Sequence, residues 1–153
     1  MTLSGKCRCN AVSYTLSSDR PLAIYACHCK GCQTWSGSAF ALHVLAAVDA
    51  ISLDGPLSEY AYEANDQHSR HHLCSRCHTR LYNTTSAAPG MLVLRAGTLD
   101  NSPSLQPVAH IWTSRKQAWL TLPDDVASWP QSPTPQEFAQ ALKDRGLVLR
   151  PQY

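Results

Sequence analysis

Charge is scarce in this chain, and neither sign prevails. Asp, Glu, Lys and Arg make up only 16% of 153 residues and leave a formal charge of +2, well under the roughly 25% charged residues of ordinary soluble domains. Without a basic stripe there is no electrostatic footprint for a nucleic-acid backbone. Long apolar runs are missing too. Although 44% of the residues are hydrophobic, no stretch approaches the roughly 18 apolar residues of a spanning helix. The longest patch, Ala39 to Val48, is broken by His43. The N-terminus has no basic segment followed by an apolar one, so no secretory signal is expected. These absences point to a soluble, cytoplasmic protein that engages neither nucleic acid nor membrane. The length suits a single domain over residues 1–153, and the sequence has no repeat and no low-complexity tract.

Cysteine, by contrast, is plentiful and clustered. The seven fall as Cys7 and Cys9, then Cys27, Cys29 and Cys32, then Cys74 and Cys77. An odd number cannot all pair, and a reducing compartment would not keep bridges oxidised, so metal ligation is the better account. Structural zinc takes four sulfur or nitrogen ligands, whereas catalytic zinc takes three from the protein and leaves a position for water or substrate. Seven divides as four plus three. Cys7-Arg8-Cys9 and Cys74-Ser75-Arg76-Cys77 are two-sulfur clips of the kind that together close a tetrahedron. Cys27-His28-Cys29-Lys30-Gly31-Cys32 then supplies three sulfurs from six residues. In an extended segment Cys27 and Cys29 point the same way, and Gly31 is expected to make the turn that brings Cys32 back. The fourth position of this trio falls to a His, a water or a substrate atom. Asn10 and His78, each just after a clip, are among the non-glycine residues that tolerate positive φ, as a zinc knuckle requires.

Most of the remaining sequence reads as short strands. Val12, Tyr14 and Leu16 alternate with polar residues, as do Phe40, Leu42 and Val44. Similar runs span 22–27, 57–63, 70–74, 80–84, 91–96 and 108–113. Turns are expected at Asp54-Gly55-Pro56, Ala88-Pro89-Gly90 and Asp100-Asn101-Ser102-Pro103. Residues 123–133 read as an irregular surface segment, and one helix follows within an extension at about 123–147. Thr134 is its N-cap, Pro135 its first residue, Glu137 the partner in a capping box and Gly146 its stop. Phe138, Ala141, Leu142 and Arg145 share one face, predicted to pack on the sheet.

With these motifs in place, the sequence resembles the glutathione-dependent formaldehyde-activating family. The resemblance runs from Gly5 to about Pro130. Gly5-Lys6-Cys7-Arg8-Cys9-Asn10-Ala11-Val12-Ser13-Tyr14 is similar to the family's opening clip. Cys27-His28-Cys29-Lys30-Gly31-Cys32 with Ser36-Gly37-Ser38 is similar to its central signature, and His71-His72-Leu73-Cys74-Ser75-Arg76-Cys77 to its second clip. Ala96-Gly97-Thr98-Leu99-Asp100, His110-Ile111-Trp112 and Trp119 complete the likeness. The chain departs from the family at Asn10 and His78, where glycine is usual. The resemblance implies a mainly β, Mss4-like zinc-containing fold of short antiparallel strands with, in this chain, a C-terminal helix. It implies two zinc ions, one structural on Cys7, Cys9, Cys74 and Cys77 and one catalytic on Cys27, Cys29 and Cys32. It further implies a carbon–sulfur lyase whose partners are a small thiol such as glutathione and formaldehyde or a related aldehyde.

Two other classes of function remain open on the sequence. Both metals could be structural in a binding module, or Cys29 and Cys32 could cycle as a dithiol and disulfide. Lys30, Arg70, Arg95, Arg115 and Lys116 are candidate partners for an anionic thiol. His28, His43, His71 and His110 are candidate acids or bases. His71 and His72 must face opposite sides of a strand, so at most one looks into a site.

Overall fold

The alternation seen in the sequence becomes a mainly β fold in a computed structural model that describes residues 1–19 and 21–146. These residues form two compact units, Met1–Asp19 with Val44–Leu105, and residues 21–43 with 106–146.

In the first unit, β1 (Thr2–Lys6), β2 (Ser13–Ser17) and β5 (Ile51–Asp54) make an antiparallel sheet in the order β1-β2-β5. Tyr14 and Leu16 of β2 turn inward, with Val12 just before them, while Ser13, Thr15 and Ser17 face outward. This is the period-2 pattern of a half-buried strand. Gly5 sits opposite Tyr14 in that ladder. A Cβ there would collide with the Tyr14 ring and the Thr98 carbonyl, so only glycine fits. A second antiparallel set, β6 (Leu57–Ala64), β7 (Gln67–Cys74), β8 (Arg80–Thr85) and β9 (Met91–Arg95), runs in the order β9-β8-β7-β6. Leu16, Leu81, Leu92 and Leu94 are fully buried, each worth roughly 1.5–3 kcal/mol against exposure.

In the second unit, β3 (Ile24–Cys27), β10 (Ala109–Ile111) and β11 (Ala127–Ser128) pair in parallel, with His110 opposite Ala26 and Ile111 opposite Cys27. The antiparallel strands expected from the sequence make up the first unit, and these three add a parallel set, which the long excursion between Cys27 and Ala109 permits and no tight turn could. The strand expected over 108–113 is three residues long, because Trp112 adopts a left-handed φ of 56° and turns the chain out of the ladder. The boundary between the units falls inside β4 (Ala41–Ala47), after His43. Within β4 the buried side chains include His43 where Leu42 was expected.

Helix α2 (Pro135–Asp144) forms as its sequence dictates. The Glu137 N–H donates to Thr134 Oγ1 at 3.2 Å, and the Thr134 N–H donates to Glu137 Oε2 at 2.7 Å. Gly146 lies beyond the last turn at φ 74°. Leu142 is buried, and Phe138 stands edge-on to Tyr25 of β3 at a ring separation of 5.6 Å. Residues 147–153, including the expected end of the extension at 147, lie outside the described residues.

Candidate metal centres

The first unit brings Cys7, Cys9, Cys74 and Cys77 together, with their four sulfurs all within 4.8 Å of one another. Each clip is a tight turn closed by backbone hydrogen bonds: Asn10 N–H to Cys7 O at 3.1 Å and Cys7 N–H to Val12 O at 3.0 Å. In the second clip the bonds are His78 N–H to Cys74 O at 2.9 Å and Cys74 N–H to Thr79 O at 2.9 Å. Both turns place the next residue in the left-handed region, Asn10 at φ 63° and His78 at φ 60°, the conformation that the residue types at these positions tolerate. The turns also aim backbone N–H groups at sulfur, Val12 at Cys7 (3.3 Å) and Arg76 at Cys74 (3.4 Å). Such donors favour thiolates. The Thr79 hydroxyl and amide and the Cys9 contacts together hold the Cys77 thiol down at about 5.

Sulfur separations test whether a metal fits. Four thiolates around a zinc at about 2.3 Å must stand about 3.8 Å apart. Cys7 to Cys9 is 3.6 Å and Cys9 to Cys74 is 3.8 Å. A disulfide would bring sulfurs to about 2 Å, and all seven cysteines are free. The set therefore has the edge length of a metal tetrahedron.

The second unit brings Cys27, Cys29 and Cys32 within the same 4.8 Å limit. Cys27 ends β3, and Cys29 is the N-cap of helix α1 (Lys30–Ser36), its Sγ accepting from the Cys32 N–H at 3.3 Å. Cys32 is thus returned by the first turn of a helix, and Gly31 keeps an ordinary negative φ with ample room for a Cβ. The glycine turn expected from the sequence is not what closes the trio. Hydrogen bonds from Cys27 and Cys32, reinforced by the Cys32 and Gly31 amides, hold the Cys29 thiol down to about 2, while those same bonds and burial push Cys27 up. Among the described residues no His, Asp, Glu or further Cys joins the trio at that distance.

The surroundings of the trio come from the same unit. Gln33, one residue past Cys32, donates from Nε2 to the His28 carbonyl at 2.8 Å and to the Arg115 carbonyl at 2.9 Å. Gln117 Nε2 in turn donates to Gln33 Oε1 at 3.3 Å. This clamp ties the cysteine loop to the 113–117 segment. The sequence reading missed it, since nothing local marks a glutamine two of whose partners, Arg115 and Gln117, lie over eighty residues away. His28 is fully buried, its Nε2 2.9 Å from His110 Nδ1. Burial, together with the neighbouring His110 and Lys116, depresses the His28 imidazole to about 4. His43 Nε2 lies 3.5 Å from Cys32 Sγ.

The other sequence candidates lie elsewhere or are engaged. His71 sits on β7 of the first unit, stacked on Tyr62 at 5.5 Å, and so does not join the trio. Arg70 pairs with Glu59 and Arg95 with Asn83, both also in the first unit. Lys116 caps the Gln117 and Leu120 carbonyls. Lys30 and Arg115 remain exposed in the unit that holds the trio.

Fold and sites together define a mainly β protein with two cysteine clusters, each able to bind a metal ion. Residues 2–115 match the family described as glutathione-dependent formaldehyde-activating enzyme, and the chain belongs to that family. A protein of Halomonas elongata, provisionally named a glutathione-dependent formaldehyde-activating enzyme, is 25% identical over 128 residues, covering 80% of this chain and 82% of that one. A crystal structure of a Rhodobacter sphaeroides protein superposes with a TM-score of 0.54 at 16% identity, over 69% of this chain and 92% of that one, which is a likeness of fold. No helix among the described residues is long and apolar enough to cross a membrane.

Proposed function

We propose that this chain is a cytoplasmic, zinc-dependent carbon–sulfur lyase acting on adducts of a small thiol with an aldehyde, glutathione with formaldehyde being the pair suggested by the family. Residues 1–153 then serve as one zinc-binding domain, with Cys7, Cys9, Cys74 and Cys77 as structural ligands and Cys27, Cys29 and Cys32 as catalytic ones. The observation that carries this reading is the contrast between a four-sulfur set and a three-sulfur set that, among the described residues, gathers no fourth protein ligand within the same distance.

In the forward direction the thiolate sulfur attacks the carbonyl carbon, a C–S bond forms, and the carbonyl π pair moves to oxygen, which takes a proton. Lyase action is the reverse. Zinc held by the trio supplies a Lewis acid for the thiol or the aldehyde oxygen. Ionisation alone is a modest lever. A free thiol with a pKa of about 8.5 is a few per cent ionised at pH 7, so complete ionisation is worth at most about 30-fold, or about 2 kcal/mol. Orientation can contribute about 7–11 kcal/mol, which makes the site's rigidity its main asset. Gln33 supplies that rigidity by fixing His28, between two of the cysteines, to the 113–117 segment. Lys30 and Arg115, exposed in the same unit as the trio, are the candidate cations for the carboxylates of the thiol.

The test is exchange spectroscopy on ¹³C-formaldehyde and glutathione with zinc-loaded protein. Interconversion of aldehyde and adduct should accelerate, and Cys29→Ser should abolish the acceleration. No acceleration by well-folded protein holding two zincs per chain would refute the reading.

A further inference from the structure

We propose that His43 is a positioning residue for Cys32, donating a hydrogen bond from Nε2 to its sulfur from outside the ligand set. The C-terminal extension holds it in place through Tyr25 and Phe138. The proposal, resting on the reading above of Cys32 as a ligand, goes beyond it by giving work to residues past the family's boundary at 115.

His43 is buried on β4 with only 4% of its surface exposed, and its Nε2 is 3.5 Å from Cys32 Sγ. An imidazole beside a thiolate can be a fourth ligand or an outer hydrogen-bond donor, and distance separates the two roles. In a tetrahedral sulfur and nitrogen site every donor atom stands within about 4 Å of every other. His43 has no ring nitrogen within 4.8 Å of all three sulfurs, whereas the sulfurs satisfy that limit among themselves. It lies beside Cys32 without completing a set with all three sulfurs. A neutral imidazole so placed donates Nε2–H to the thiolate, fixing its own tautomer and the sulfur's lone-pair direction.

What keeps the ring there is a relay of aromatic contacts within the same unit. Tyr25 of β3 stands 5.2 Å from His43 at 53°, Phe138 of α2 meets Tyr25 edge-on at 5.6 Å and 80°, and Trp129 lies 6.3 Å from Phe138. Phe138 and Trp129 both lie beyond residue 115. Rings packed in series at these separations, one pair edge-on and two tilted, restrict one another, so the extension acts as a wedge behind a ligand's hydrogen-bond donor.

Cobalt(II) titration of the full chain, read by its sulfur-to-metal charge-transfer bands, tests this without recourse to activity. His43→Phe keeps a ring against Tyr25 and removes the donor. It should weaken the three-sulfur site 10- to 100-fold and shift its band, leaving the four-sulfur band unchanged. His43→Gln restores a donor and should recover most of the affinity, and Phe138→Ala should fall between. Equal affinity and an unshifted band in His43→Phe overturn the proposal, as does an X-ray absorption spectrum of the wild type showing imidazole bound to the trio's metal. If His43→Phe loses the four-sulfur band and so has not folded, the other two variants decide: His43→Gln must hold the metal better than Phe138→Ala, or the proposal falls. One cobalt per wild-type chain would instead refute the proposed function, and this inference with it.

Discussion

Cys9 and Cys29 look alike in the sequence, each the second sulfur of a C-x-C, yet their removal should have different consequences. Structural zinc binding carries roughly 10–16 kcal/mol, as much as the whole net stability of a domain, about 5–15 kcal/mol. Cys9→Ser should therefore unfold the chain, visible as loss of far-UV dichroism. Cys29→Ser interrupts a cluster drawn from six consecutive residues, which closes little loop entropy. It should keep the fold and lose activity. Gly5→Ala should cost stability out of proportion to one methyl group, because the Tyr14 ring and Thr98 carbonyl have no room to give; urea unfolding would measure it. His71 supplies a pH dependence. Burial, with Arg80 and Arg95 nearby, depresses it to about 3, so below its ordinary value of about 6.5 the unfolded chain binds a proton that the folded chain refuses. Its stability contribution is complete above that value and is lost as pH falls toward 3. His71→Phe, keeping the stack on Tyr62, should therefore lose less stability between pH 7 and pH 4 than the wild type.

Helices α1 and α2 differ in how much of them could be read in advance. Thr134, Pro135 and Glu137 are the residue types that begin helices, and both capping bonds are present. Thr134→Ala should cost about 0.5–2 kcal/mol, measured by denaturant unfolding. Helix α1 begins instead at a cysteine, which is not among the usual capping residues, and its seven residues include Gly31. Nothing there announces a helix, so the segment reads as extended strand plus turn. The strands β2, β6, β7, β8 and β9 were legible because alternation and intervening turns mark them. β1, β5 and β11 were not: β1 and β5 are short and only partly buried, and β11 has two residues. His43 escaped notice as a buried residue for a related reason, since the apolar neighbours Leu42 and Val44 dominate the pattern. The Gln33 clamp is a matter of elements alone. Gln33→Leu should leave the four-sulfur site intact and lower the rate of adduct exchange, by freeing the cysteine loop from the 113–117 segment.

At the scale of the molecule, the partition of seven sulfurs into four and three was legible from spacing, because short clips bring ligands together whatever fold surrounds them. What spacing could not convey was the surrounding clamp and wedge, which join residues more than a hundred positions apart in the case of Tyr25 and Phe138. On the proposed function, one metal per chain is closed off by protein sulfur while the other keeps a place for substrate. X-ray absorption on the zinc-loaded chain, taken before and after adding glutathione, addresses this directly. Two zincs per chain are expected, with an average of three and a half sulfur ligands each, since four and three share seven, rising to four when the thiol takes the remaining position. A spectrum unchanged by glutathione, or a single zinc per chain, would contradict it.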